Sequence, residues 1–259
     1  MTREAGTLEA AGLFMGRRLT NLSAALRPGE VTAICGPNGA GKSTLLGCLA
    51  GLHPCDAGLV RLGGEPLAAL PPRVRARALG YLPQSPEIAW DVTVEVLVGL
   101  GRLPWQGAPL HRSHAGAVED AAAVEDAILA MDLAALRHRP VSRLSGGERA
   151  RALVARVLAG RPRWLLADEP LANLDLAHAA TLIARFRDQA WAGAGVVLVL
   201  HDLAMAMNHA DRVLVIDQGA LAADGPPAQA LTEETIARVW GVRARWLGEP
   251  SRRALSLSE

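Results

Sequence analysis

The stretch GPNGAGKST, Gly36 to Thr44, constrains the fold of this chain more than any other. It fits the pattern G-x-x-x-x-G-K-[ST], whose glycines let successive backbone N–H groups point into one concavity that wraps phosphates. The short β-branched run GEVTAIC precedes it, and STLLGCLAGL, which has the residue types of a helix, follows it. A strand, a glycine-rich loop and a helix in this order predict an α/β unit with a phosphate site at the helix N-terminus.

Lys42 lies in this loop and is the only lysine in the chain, since every other basic residue is arginine. A lysine ammonium is a compact charge on a flexible stem, so it can thread into a nest of backbone amides, whereas a planar guanidinium has a different shape. We interpret the lone lysine as a position that cannot change to arginine. The predicted phosphate-binding residues are Gly36, Pro37, Asn38, Gly39, Ala40, Gly41, Lys42, Ser43 and Thr44.

Composition excludes several classes of protein. The chain has 259 residues, half of them hydrophobic, which is a globular composition. A net charge of +1 offers no electrostatic case for binding nucleic acid or a polybasic membrane surface. The three cysteines include no C-x-x-C pair, so we expect small buried side chains in a reducing compartment. No signal peptide or membrane-spanning segment is recognisable, so a soluble cytoplasmic chain is expected.

The run RWLLADEP ends an apolar strand with two carboxylates, Asp168 and Glu169. Asp168 is predicted to hold Mg²⁺ through its water shell, with the Ser43 hydroxyl as a second ligand. Glu169 is predicted to polarise the water that attacks a γ-phosphate. An acidic pair after an apolar run is common, so this interpretation depends on the neighbouring motifs.

The segment LSGGE, from Leu144 to Glu148, places a serine and two glycines at the start of a helix. Such a start is a second phosphate-ready helix N-terminus. Because the first loop already serves one nucleotide, we predict that this second start acts on a nucleotide held by another chain.

The motifs GPNGAGKST, LPQ, LSGGE, LLADEP, LANLD and LHD follow one another in the order typical of the ATP-binding cassette (ABC) family of ATPases, which the chain resembles from about Leu8 to Ala230. The resemblance implies an α/β fold: a P-loop NTPase (RecA-like) core with an antiparallel β subdomain and an inserted α-helical subdomain. The implied boundaries are 1–84 and 161–230 for the ATP-binding core with its β subdomain, 85–160 for the helical subdomain and 231–259 for a short tail.

The resemblance also implies roles for single residues, with ATP and Mg²⁺ as ligands. Gln84 reaches Mg²⁺ and the attacking water, and His201 contacts the γ-phosphate and orients that water. Asp175 lies at the seam of a dimer. The signature residues that close over ATP on the partner subunit are Ser145, Gly146, Gly147 and Glu148.

Two positions depart from the family pattern. The family stacks adenine on an aromatic residue of the first strand, where this chain has Leu13 with Phe14 beside it. Which of the two packs on adenine stays open. Asn173 also replaces the more usual serine of LANLD.

The implied partners are a second copy of the chain, integral membrane permease subunits and a periplasmic or lipoprotein substrate-binding protein, with the chain on the cytoplasmic face of the inner membrane. The segment VLVGLGRLPWQG resembles cassettes that power uptake of ferric siderophores, haem and cobalamin, without a choice among the three. The alternatives are a cassette for another substrate, an exporter, a non-transport ABC ATPase, a small-molecule kinase on the same scaffold and a catalytically dead regulatory cassette.

Three local predictions can be compared directly with the structure. A helix capped at Asp91 or Thr93 is expected to end before Pro104. A hairpin is expected to turn at 217–219. The tail is expected to be helical to about Trp240 and to end frayed in SRRALSLSE.

Overall fold

The computed structural model describes residues 6–84, 90–106, 114–172, 174–250 and 252–258. The strands in this part of the chain are β1 (Leu8–Met15), β2 (Leu19–Leu26), β3 (Val31–Cys35), β4 (Ala57–Leu62), β5 (Glu65–Pro66), β6 (Leu79–Leu82), β7 (Trp164–Asp168), β8 (Gly195–Val199), β9 (Arg212–Asp217), β10 (Ala220–Gly225), β11 (Arg243–Leu247) and β12 (Ala254–Ser258). The helices are α1 (Lys42–Leu49), α2 (Pro72–Ala78), α3 (Val94–Gly99), α4 (His114–Ala130), α5 (Gly146–Ala159), α6 (Leu176–Trp191), α7 (Leu203–His209), α8 (Pro227–Ala230) and α9 (Glu233–Trp240).

A six-stranded sheet organises the core, with the spatial order β10-β9-β3-β8-β7-β6. The strands from β9 to β6 are parallel, and β10 pairs antiparallel with β9 through the predicted hairpin. β3 lies inside this sheet, and all five of its residues are buried, as expected for a parallel strand covered on both faces. The predicted mixed α/β fold is confirmed.

Alternate residues of β3 pack into two different hydrophobic clusters. Val31, Ala33 and Cys35 contribute to a cluster that includes buried residues of α5 and α6. Ile34 belongs to a second cluster, which joins α1 to β1 and β2. Because successive strand residues point to opposite faces, the central sheet is sandwiched between these two layers.

The predicted antiparallel sheet is present, in the order β2-β1-β4-β5. Its last hairpin, β4–β5, is the one expected from AGLVRLGGEPL. This sheet covers the face of the core on which α1 lies, so it supports the first turn of the helix that follows the glycine-rich loop.

Three helices, α3, α4 and α5, form the predicted helical block. Thr93 caps α3, as expected, by accepting a hydrogen bond from the Val96 N–H. The α-helix ends at Gly99, before Pro104 as predicted, but the chain continues as a 3-10 segment, Leu100–Trp105, which was not predicted. Contacts of Arg102 and Trp105 explain this: Arg102 donates to the Ala159 carbonyl at 3.1 Å, and Trp105 donates to a backbone carbonyl at 2.9 Å.

Arg102 and Trp105 belong to a packed cluster that joins this 3-10 segment to two helices. The Arg102 guanidinium is buried and pairs with Asp120 of α4 at 2.7 Å. The Trp105 ring lies 4.8 Å from the Arg102 guanidinium carbon and 4.7 Å from that of Arg77, which is on α2. These distances are within the range of cation–π attraction. The segment GRLPW therefore has a structural role in the helical block.

The predicted frayed tail is wrong. After α9 the chain forms an antiparallel hairpin, β11–β12. The Asn208 amide of α7 exchanges two hydrogen bonds of 2.8 Å with the Arg253 backbone, and Trp246 donates to the Leu231 carbonyl at 2.7 Å. These contacts with the body of the protein order a segment whose local sequence carries a weak strand signal.

The cysteine prediction is correct for two of the three residues. Cys35 and Cys48 are buried, whereas Cys55 is only half-buried and its Sγ lies 3.2 Å from that of Cys48. All three are free thiols. Among the described residues, no helix is both long and apolar enough to cross a bilayer.

Candidate nucleotide site

Four neighbouring strands of the parallel sheet deliver the predicted site residues. β3, β6, β7 and β8 end in register at one edge, where Leu82 pairs with Ala167 and Ala167 with Leu198. The glycine-rich loop follows β3, Gln84 follows β6, Asp168 and Glu169 close β7, and His201 follows β8. Carboxyl ends of parallel strands are the usual place for a ligand site in such folds.

Two glycines of the loop lie where no side chain fits. A Cβ at Gly36 would lie 2.1 Å from the Ile216 carbonyl oxygen, and one at Gly41 would lie 2.4 Å from that of Arg18. Gly41 also has a φ of +105°, which favours glycine. The loop is therefore held tightly against its neighbours, and Asn38, Gly39 and Gly41 of the loop line the cavity.

The Lys42 side chain threads through the loop, as its compact shape predicts. Its Nζ donates to the carbonyls of Gly36 and Pro37, both at 2.9 Å, and only 5% of the residue is exposed. Burial lowers the pKa of Lys42, an effect that the nearby Glu169 opposes. A branched guanidinium at this depth would clash with the carbonyls that the ammonium now contacts.

Ser43 and Asp168 form a second contact at the start of α1. The Ser43 hydroxyl donates to Asp168 Oδ1 at 3.1 Å. Asp168 is only 4% exposed, and burial raises the pKa of its carboxyl, an effect that the Ser43 hydrogen bond opposes. A hydroxyl and a carboxylate side by side are hard oxygen donors, the ligands that Mg²⁺ prefers, so these residues fit this ion.

Glu169 is held by two other predicted site residues. Gln84 Nε2 donates to one carboxylate oxygen at 2.8 Å, and His201 Nε2 lies 2.5 Å from the other. Only 14% of the Glu169 side chain is exposed. Its φ of +50° is uncommon for a residue with a side chain, and strained backbone of this kind concentrates at functional sites.

These residues line one cavity of about 670 Å³. Its lining residues are Arg18, Asn38, Gly39, Gly41, Lys42, Ser43, Thr44, Gln84, Glu169 and His201. Of the predicted loop residues, Gly36 and Pro37 hold Lys42, and Ala40 accepts a hydrogen bond from the Gly219 N–H at 2.9 Å. Nine of the cavity's residues were predicted from the sequence, and Arg18 was not.

The signature residues lie elsewhere on the chain. The Ser145 hydroxyl accepts from the Glu148 N–H at 3.3 Å, and the Glu148 carboxylate accepts from the Ser145 N–H at 2.8 Å, which forms a capping box for α5. These hydrogen bonds lower the pKa of Glu148, the one from the Ser145 N–H most of all. Ser145 and Gly146 are exposed, and none of the four signature residues lines the cavity.

Asp175 lies beside this segment. It caps α6 by accepting from the His178 N–H at 2.8 Å, a hydrogen bond that lowers the pKa of the Asp175 carboxyl. A Cβ at Gly147 would lie 3.2 Å from the His178 ring, so the starts of α5 and α6 are neighbours. Asn173 falls outside the described residues.

Neither Leu13 nor Phe14, the two candidates for packing on adenine, lines the cavity. Leu13 is fully buried in the cluster beneath α1, and Phe14 is 40% exposed and does not line the cavity. Arg18, from the turn between β1 and β2, lines the cavity instead. Arg18, which follows Arg17 in this turn, was not identified from the sequence.

Comparisons of the sequence with protein families and with curated proteins both find ABC transporter ATP-binding proteins. A sequence profile described as "ABC transporter" matches residues 19–172. The chain is 43% identical over 239 residues to the hemin import ATP-binding protein HmuV of Rhodococcus jostii, covering 91% of this chain and 80% of that one. It is 44% identical over 238 residues to HmuV of Streptomyces coelicolor, with 90% and 83% covered, and 43% identical over 258 residues to HmuV of Myxococcus xanthus, with 94% of both covered.

Solved structures share the fold. A metal-chelate type ABC transporter in an inward-facing conformation superposes with a TM-score of 0.81 at 22% identity, covering 99% of this chain and 97% of that one. A bacterial Atm1-family ABC exporter with ATP bound superposes with a TM-score of 0.74 at 27% identity, covering 93% and 42%. A transporter of metal-chelate type and an exporter thus match almost equally well, so the fold alone does not indicate the direction of transport.

Proposed function

The chain belongs to the ABC transporter family and couples ATP hydrolysis to transport, and we propose that the substrate it imports is haem. The observation that carries this proposal is the set of three curated relatives at 43–44% identity, each matched over most of its length and each described as a hemin import ATP-binding protein. The GRLPW segment, typical of importers of metal chelates, agrees with this choice.

In the proposed reaction the glycine-rich loop holds ATP by its phosphates. Backbone amides of the loop and the N-terminus of α1 face the phosphate oxygens, and the buried Lys42 ammonium adds a full positive charge beside them. The site of hydrolysis lies at the end of the cavity where Gln84, Glu169 and His201 meet. Water attacks the γ-phosphorus there, and ADP and phosphate leave.

Glu169 is the general base in this proposal. Its carboxylate accepts a proton from the attacking water, while Gln84 and His201 hold it in one orientation from two sides. Because these contacts hold the carboxylate on both of its oxygens, the group needs little reorganisation for the reaction. General-base catalysis of this kind contributes roughly 10²–10⁴-fold to a rate.

Ser43 and Asp168 are the residues that would hold Mg²⁺, with the Gln84 amide oxygen as a further ligand. The ion, when bound, neutralises charge on the β- and γ-phosphates.

The second half of the site comes from another copy of the chain. The signature start at Ser145–Gly147 is an anion-ready helix N-terminus that does not line the chain's own cavity. Two copies arranged head to tail would bring this start onto the ATP held by the partner. The helical block contacts integral membrane permease subunits, and a separate substrate-binding protein delivers haem, with the chain at the cytoplasmic face of the inner membrane.

The test is reconstitution with a permease that co-purifies with this chain. Proteoliposomes that contain the complex should accumulate haem when ATP is supplied, and a complex carrying Glu169→Gln should not. Uptake of a ferric siderophore or cobalamin in preference to haem would contradict the proposed substrate. Failure of any membrane protein to co-purify would favour a non-transport ATPase, and phosphate transfer to a small acceptor would favour the kinase alternative.

A further inference from the structure

The nucleotide cavity contains one positive side chain that the proposed reaction does not use. Arg18 lines the cavity from the turn between β1 and β2. The residue is exposed, and within the described parts of the chain its guanidinium has neither a hydrogen-bond partner nor an ion-pair partner. An unpaired guanidinium at the rim of a ligand cavity is free to contact the ligand.

The Arg18 backbone, in contrast, is fixed in place. Its N–H donates to the Met15 carbonyl at 2.8 Å, and its carbonyl oxygen lies against Gly41, where a Cβ would approach to 2.4 Å. Gly219, in the β9–β10 turn, is packed just as closely on the other side, at 2.8 Å. The turn between β1 and β2 therefore packs against both the glycine-rich loop and the β9–β10 hairpin, and this packing fixes where the Arg18 side chain begins.

The position of Arg18 indicates which part of the nucleotide it faces. Gln84, Glu169 and His201 contact one another and mark the γ-phosphate end of the cavity. Arg18 has no contact with that group, and it reaches the cavity from a different sheet, beside Gly41. The part of the nucleotide nearest to it is the part that leaves the loop, which is the ribose and the base.

The base needs a planar partner, and no Phe, Tyr or Trp within the described ranges lines the cavity. The planar groups of Gln84 and His201 contact Glu169 at the other end. A guanidinium is planar, weakly hydrated and able to stack on an aromatic face. Stacking of bases on planar side chains is also tolerant of base identity, because every base has a π-face.

We propose that the Arg18 guanidinium stacks on the adenine base of ATP and takes the place of an aromatic side chain in this cavity. The inference depends on the proposed function, since it assumes that the cavity binds ATP. Arg18 is a binding residue in this assignment, and it takes no part in the hydrolytic step.

Calorimetric titration of four variants tests the proposal, with a non-hydrolysable ATP analogue and inorganic tripolyphosphate as the two probes. Arg18→Ala and Arg18→Lys should each weaken the ATP analogue by about tenfold, because both lose the planar group. Arg18→Tyr should stay within about threefold of the wild type, because it restores a stacking face. Arg17→Ala, which removes an adjacent exposed arginine outside the cavity lining, is the matched control and should change nothing.

Binding of tripolyphosphate separates stacking from charge and also reports folding. It should be the same in all variants, since this probe has no base. If Arg18→Lys keeps full affinity while Arg18→Tyr loses it, and tripolyphosphate binding falls as well, Arg18 contacts phosphate and the proposal is wrong. Unchanged ATP binding in every variant also overturns it. Failure of the wild-type chain to bind the ATP analogue would instead refute the proposed function.

Discussion

The glycine-rich loop and the signature segment are both helix starts suited to phosphate, yet they differ in how complete they are within one chain. At the first, Lys42 and Glu169 line one cavity, Asp168 contacts Ser43 of its lining, and all three acidic or basic side chains are mostly buried. At the second, Ser145 and Glu148 satisfy each other in a capping box, and neither residue lines that cavity. The first region resembles a finished site, and the second resembles one face of an interface.

The difference separates the contacts to ATP that one chain can make from those that need a second chain. The loop can bind ATP in an isolated chain, since its groups are already positioned. The signature start can add a contact only when a second chain brings its own ATP, so ATP becomes part of the interface and hydrolysis removes it. Variants that affect only one region should therefore separate nucleotide binding from dimerisation.

Glu169→Gln should have the largest effect on ATPase activity, and it tests whether hydrolysis can be separated from dimerisation. The variant keeps the side-chain shape but removes the base, so kcat for ATP should fall roughly 10²–10⁴-fold while ATP binding persists. Because both helix starts remain intact, a stable dimer should form with ATP. Phosphate release and light scattering after size exclusion measure the two effects, with Glu65→Gln at an exposed sheet edge as the control. A variant that stays monomeric at saturating ATP would refute closure by two chains.

Lys42→Arg tests whether the packing of the loop excludes every basic side chain except lysine at this position. Charge is conserved, but the guanidinium cannot occupy the narrow path to the Gly36 and Pro37 carbonyls, so kcat/KM should fall on the order of 10²-fold. Steady-state ATPase assays and nucleotide titration measure the loss. Arg73→Lys, the reverse exchange at an exposed position of α2, is the control. Normal kinetics in Lys42→Arg would contradict our explanation of the lone lysine.

Ser145→Arg affects only the signature segment. The cavity is untouched, so the isolated chain should bind ATP within about twofold of the wild type, whereas turnover should fall at least about tenfold and the ATP-dependent dimer should be lost. Ser256→Arg on the C-terminal hairpin adds the same charge at another exposed site as the control. ATPase activity unaffected by Ser145→Arg would indicate that the chain completes its own site.

Asp168→Asn should have the smallest effect, and it concerns stability. Burial raises the pKa of Asp168, so the charged form destabilises the folded chain at neutral pH. Without nucleotide, the variant should therefore melt about 2–4 °C higher, the shift that roughly 1 kcal/mol produces in a domain of this size. The advantage should shrink as the pH falls towards the ordinary aspartate pKa of about 3.9, because the folded wild-type carboxyl, whose pKa is raised, takes up its proton first.

Calorimetric scans from pH 7 to 4 measure this difference, with Asp132→Asn at an exposed carboxylate as the control. An Asp168→Asn chain that melts lower than the wild type at pH 7 would show that the carboxylate stabilises the site, and our interpretation of the burial would then be wrong.

Much of the cavity could be predicted from the sequence, because its residues follow parallel strands whose ends meet at one edge. Gln84, the Asp168–Glu169 pair and His201 are far apart in the chain, but each comes at or after the end of a short apolar run. The P-loop spacing identified the strand β3, whose neighbours carry these residues. The roles of Gln84 and His201 came from the resemblance to ABC ATPases, and the order of the strands then placed them at the same edge.

The parts that could not be predicted depend on contacts between distant segments. Arg18 is placed by packing against Gly41 and Gly219, which are 23 and about 200 residues away in the chain. The β11–β12 hairpin is ordered by Asn208 of α7, and its own sequence carries only a weak strand signal. Pro104 suggested a stop, but the side chains around it hold the 3-10 turn in place. Tertiary packing overrides local preference at each of these positions.

The stack of Arg77, Trp105 and Arg102 has a mechanical consequence. Arg77 lies on α2, which runs directly into β6, and β6 ends two residues before Gln84. If the helical block tilts, either this stack separates or α2 moves with the block. The stack therefore links the helical block, through α2 and β6, to the Gln84 side chain that contacts Glu169.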